Sequence, residues 1–73
     1  MNAMQLRELR KAARLSQMEV SRLTGIDRTK LSFVECGYIE LTADEESEIR
    51  KAIAGAAERN AAQVRRALVL ETA

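Results

Sequence analysis

The chain has no proline, no histidine and no tryptophan, a single cysteine, and three glycines among its 73 residues. Each scarcity excludes something. With no proline and so little glycine, few points can interrupt a helix, and a nearly continuous helical chain is expected. Without histidine the commonest general base and metal ligand is missing. One cysteine can neither close an internal disulfide nor make up a zinc site. The remaining carboxylates sit at helix starts, so no acid, base and nucleophile can be assembled, and no enzyme, metal, cofactor or small-molecule ligand is expected. No apolar run approaches the ~18 residues needed to cross a bilayer, and no signal-peptide core opens the chain. A soluble, cytoplasmic protein without a membrane partner is therefore expected. Phe33 and Tyr38 are the only aromatic residues, which leaves packing to Leu, Ile, Val, Met and Ala.

A chain of this length buries only roughly 60% of its unfolded surface on folding, so its core is marginal and association is a natural way to enlarge it. The formal net charge of +1 hides a split. Residues 1–36 carry seven basic and four acidic side chains, whereas residues 37–73 carry five basic and seven acidic ones. The basic surplus lies in the half of the chain that phosphate contact would need.

Apolar spacing predicts a first helix over about residues 4–13, with Leu6, Leu9 and Ala13 facing inward. A second starts at Ser16, where Glu19 completes a capping box and Leu15 and Val20 form a hydrophobic staple; it ends at Thr24. Gly25 can take the left-handed turn that follows. A third helix, capped by Asp27 and stopped by Cys36-Gly37, turns Leu31 and Val34 inward and Thr29, Ser32 and Phe33 outward, with Arg28 and Lys30 on the flanks. Residues 38–41 connect to a fourth helix with a second capping box, Thr42 to Glu45, and an apolar stripe of Ile49, Ala52, Ile53 and Ala56. Past Gly55 two readings stay open. A break there with a fifth helix over about residues 57–70 is favoured, because Asn60 and Gln63 interrupt the stripe; one long helix is the alternative. Ala57, Ala61, Val64 and Leu68 keep a spacing that suits helix pairing, or would close the domain's own core.

Two short capped helices joined at a glycine, with a polar outer face on the second, form the arrangement by which a helix-turn-helix offers a reading helix to the DNA major groove. The residues Leu15-Ser16-Gln17 with Glu19-Val20, then Gly25-Ile26, Asp27-Arg28-Thr29 with Leu31-Ser32, and Val34-Glu35 with Gly37 carry a closer likeness. Over about residues 4–54 the chain resembles the Cro/phage-repressor (XRE-type) helix-turn-helix family. The resemblance implies an all-α, four- to five-helix, lambda-repressor-like domain over residues 1–56. Residues 57–73 would then be a C-terminal helix for dimerisation or core closure.

On that resemblance Arg28, Thr29, Ser32 and Phe33 would face base edges. Arg28 would pair with guanine, while Phe33 either touches a thymine methyl or packs on the second helix or a partner chain. Gln17 would donate to a backbone phosphate from a helix N-terminus. Arg10, Arg14, Arg22, Lys30 and Tyr38 complete the candidate phosphate set. Arg10 and Glu35 occupy positions that often form a structural pair in lambdoid repressors. Ala57, Ala61, Val64 and Leu68 are the candidate dimer contacts. The implied function is a phage or bacterial transcriptional regulator, most naturally a repressor, binding double-stranded DNA as a homodimer. The alternative is a protein-binding adaptor or antitoxin-like module. Departures weaken the electrostatics and the core: the connector reads Tyr38, Ile39, Glu40 where the family usually carries Lys or Arg, and Glu45, Glu46 and Ser47 stand where apolar residues are common. Ser21 replaces the usual Ala, and Thr24 stands in an aliphatic position, where its hydroxyl needs a backbone acceptor.

Overall fold

A computed structural model of the chain describes residues 2–72. Among them lie four helices, α1 (Ala3–Ala12), α2 (Gln17–Thr24), α3 (Arg28–Glu35) and α4 (Ala43–Thr72), and no strand. All four starts are fixed by side-chain caps, three of them by capping boxes. Asn2 and Gln5 form a capping box at α1, Ser16 and Glu19 one at α2, and Thr42 and Glu45 exchange the same pair of hydrogen bonds at α4. At α3 the Asp27 carboxylate accepts from the Thr29 N–H at 2.9 Å. Each box satisfies two backbone donors that a helix start leaves open. These caps matter because helices of eight residues are not stable alone in water.

The core is small and wholly aliphatic. Leu6, Val20, Leu31, Val34 and Ile49 are its fully buried members, joined by Ala13, Leu15, Ile26, Ile53 and Ala56, with Leu41 packed against its edge. α2 packs on α4 and on α3, and α3 packs on α1. Leu9, expected inside, is 37% exposed. It lies on the wall of an open groove between α1 and α4, with Ala12, Ile53, Ala54 and Ala57. The Thr24 hydroxyl finds its backbone acceptor, donating to the Val20 carbonyl at 2.7 Å, and its oxygen also accepts from the Ile26 N–H.

The expected break near Gly55 does not occur. α4 runs for 30 residues without interruption, about 45 Å at 1.5 Å per residue. The molecule is accordingly elongated, 49 × 19 × 17 Å. Asn60 explains why the interrupted stripe does not end the helix. Its amide donates to the Ala13 carbonyl at 2.9 Å, so a polar residue at the edge of the core satisfies an acceptor at the end of α1. Among the described residues Ala56 is the last buried one of α4, and residues 61–70 are all exposed. They do not close the domain's own core.

Candidate nucleic-acid interface

The elements around α3 hold it from behind by charge as well as by Leu31 and Val34. Arg10 on α1 donates from Nε to Glu35 Oε2 and from a terminal nitrogen to Glu35 Oε1, both at 2.9 Å. Its other terminal nitrogen donates to the Leu15 carbonyl, also at 2.9 Å. The Arg10 side chain is 14% exposed and that of Glu35 only 3%. This bidentate geometry is the strongest form of the ion pair. Arg7 adds a weaker approach, 3.8 Å to the same carboxylate, and Gln17 at the start of α2 also donates to it. Burial pushes the Glu35 carboxyl up, but the hydrogen bonds from Arg10 and Gln17 and the nearby positive charges outweigh it. The net result lies below the ordinary value of 4.5. A carboxylate at the end of α3 therefore ties that helix to α1 and to the start of α2.

A second tie joins the opposite side of α3 to α4. Lys30 Nζ lies 2.6 Å from Glu45 Oε2. Hydrogen bonding from Lys30 and from the Thr42 backbone lowers the Glu45 carboxyl.

These contacts revise the expected phosphate set. Arg10 has its donors committed to Glu35 and Leu15 and is nearly covered, so it is withdrawn from that set. Lys30 is engaged by Glu45 and now belongs to the scaffold. Gln17 is half-buried at the N-terminus of α2, sharing its amide with Glu35. Arg14 and Arg22 are exposed, and neither makes an ion pair with another of the described residues. The ties of Arg7, Gln17 and Lys30 were not foreseen from the sequence. Arg7 lies three positions before Arg10, on the same helix face, and that signal was available. Lys30 and Glu45 are 15 residues apart in different elements, and no local pattern connects them.

On the outward face of α3, Arg28 and Thr29 are exposed, Ser32 is half-buried and Phe33 is 46% exposed. The end of the helix accounts for Phe33. Gly37 adopts φ +82°, its N–H bonds to the Val34 carbonyl, and the Tyr38 N–H bonds to the Phe33 carbonyl. That double bond is the Schellman stop, which places a hydrophobic contact between these two residues. Here it is an edge-to-face pair, ring centroids 6.2 Å apart at 69°. One side of Phe33 is therefore propped by Tyr38, itself 77% exposed, and the rest of the ring remains open on the outward face of α3.

Residues 3–62 match the family model described as a helix-turn-helix domain. The chain belongs to the helix-turn-helix family. No curated protein and no solved structure shows significant similarity to it. In this helix-turn-helix, α2 and α3 form the bihelical unit, and the turn between them is made by Gly25 at φ +77°, where a side chain would be strained.

Arg14 occupies a left-handed conformation of its own, φ +58°. It stands where α1 ends in another Schellman stop, with Arg14 N–H on the Lys11 carbonyl and Leu15 N–H on that of Arg10. Glycine is the usual occupant of such a position. Arg14→Gly should therefore raise stability by about 0.5–1 kcal/mol, read as a higher urea midpoint. If Arg14 meets phosphate, the same variant binds DNA more weakly.

Proposed function

We propose that the protein is a sequence-specific double-stranded DNA-binding transcriptional regulator, a repressor that binds a near-palindromic operator as a homodimer. The observation that carries this reading is the outward face of α3. Arg28, Thr29, Ser32 and half of Phe33 are presented to solvent on a helix clamped from two sides, by Arg10–Glu35 and by Lys30–Glu45. A side-chain array held rigidly on a short helix is what base-edge recognition requires. Gln17, Arg14, Arg22 and Tyr38 stand as phosphate contacts. Residues 1–56 serve as the DNA-binding unit, and residues 57–73 bring two copies together through Ala57, Ala61, Val64 and Leu68. Pairing is needed because one module makes few contacts, and affinity at physiological salt depends on the second half-site.

A random pool of DNA duplexes should yield an enriched, near-palindromic sequence bound by two chains. Binding to it should weaken with salt. The two cations per chain placed at phosphates (Arg14 and Arg22), doubled in the dimer, predict a slope of about −4 for log K against log salt. The adaptor reading draws support from the two cations, Arg10 and Lys30, that the structure diverts to carboxylates. No enrichment and no salt-dependent shift would establish that reading instead.

A further inference from the structure

The homodimer reading above leaves the arrangement of the two chains open, and α4 carries features that select one. At 100° per residue Ala54, Ala57, Ala61, Val64 and Leu68 fall on a single stripe. Its first part floors the groove of about 350 Å³ between α1 and α4, walled by Leu9 and Ala12. Its second part continues beyond the core with Val64 58% and Leu68 55% exposed. We propose that α4 packs antiparallel against α4 of a second copy about a twofold axis near Ala61, so that the far end of each helix seats in the other chain's α1–α4 groove.

The register follows from size. Ala54 and Leu68 each lie seven residues from Ala61, about 10 Å along the axis. Antiparallel pairing about Ala61 therefore sets the large Leu68 of each chain over the small Ala54 of the other, while Ala61 at the axis lets the helices approach closely. Bulk meets space at both ends, as a self-complementary twofold interface requires. A parallel pair would stack Leu68 on Leu68 and leave the groove between α1 and α4 empty.

Charge selects the same register. Glu58 and Arg65 flank the stripe on one side, at nearly equal distances either way from the axis. In an antiparallel pair, flanks of the same side face each other, so Glu58 meets the partner's Arg65 twice over. Neither residue has a local explanation. The positions three and four away from each hold only Ala, Gly, Leu or Val, which leaves no counter-charge on the same helix. Both side chains are exposed and make no ion pair with another of the described residues.

The test is charge exchange, read by sedimentation equilibrium without DNA. Glu58→Arg and Arg65→Glu should each weaken dimerisation roughly tenfold, because both symmetric pairs become repulsive. The double variant E58R/R65E should recover wild-type association. Mixing the two single variants should give a heterodimer preferred over either homodimer. Both positions are exposed, and unchanged helical circular dichroism verifies folding in each variant. A wild-type dimer indifferent to both reversals, or a double variant no better than the singles, overturns the antiparallel docking and leaves the homodimer reading standing. A wild-type chain that stays monomeric into the high micromolar range overturns both.

Discussion

Glu35→Ala should leave the domain largely unfolded at neutral pH and room temperature. The substitution removes the acceptor for two 2.9 Å hydrogen bonds from Arg10 and leaves a guanidinium with 14% of its side chain exposed and no counter-charge. Breaking one partner of a buried pair costs on the order of 3–5 kcal/mol, against a total stability for small domains that starts near ~5 kcal/mol. Among the described residues the core has ten apolar members, two of them alanines, and offers little reserve. Urea titration followed by circular dichroism checks the loss. A midpoint within a few tenths molar of wild type would show that Arg10 simply swings out to water.

The same carboxylate sets an acid limb. Its folded value lies below the ordinary 4.5, so its contribution is fully present above the unfolded value and disappears as pH falls through the folded one. Glu35→Gln should therefore lower stability at pH 7 and flatten the decline on acidification below the ordinary value of 4.5. That separates the charge of the group from its shape.

The second large effect is expected at Arg28. It is exposed on the first turn of α3, and its planar fork matches the two acceptors of guanine better than any other side chain on that face. Arg28→Ala should cost about 1–3 kcal/mol on the selected operator and relax preference at one base-pair position per half-site. The variant should fold normally, since no core contact is lost. Binding measured on the operator and on its single-base variants reads both quantities. Equal loss on operator and random duplex would reassign Arg28 to the phosphate backbone.

Much of this architecture was legible in local chemistry. The two capping boxes at Ser16 and Thr42, the Asp27 cap and the left-handed glycines at 25 and 37 are set by residues within four positions of one another, and they mark real helix ends. The outward face of α3 followed from the 3.6-residue period once those ends were placed. What local chemistry could not reveal was the partner of each polar group across the fold. Asn60 looked like an interruption because its acceptor, the Ala13 carbonyl, lies 47 residues away. Lys30 looked like a phosphate ligand because Glu45 was hidden in another element. Leu9 satisfied the period of α1 but fell at the margin, where α4 does not fully cover it. The candidate site was therefore readable as a face of named side chains, but which cations remain available to DNA depended on tertiary pairing.

The uninterrupted course of α4 has a mechanical corollary. Lys30 fastens α3 to Glu45 at one end of a thirty-residue rod, and on the dimer reading the other end of that rod holds the second copy. No hinge intervenes, so the rod acts as a ruler. The separation between half-sites is then dictated by a stiff strut instead of being accommodated by a pliable tether, and operators with one base pair more or less between their halves should be rejected.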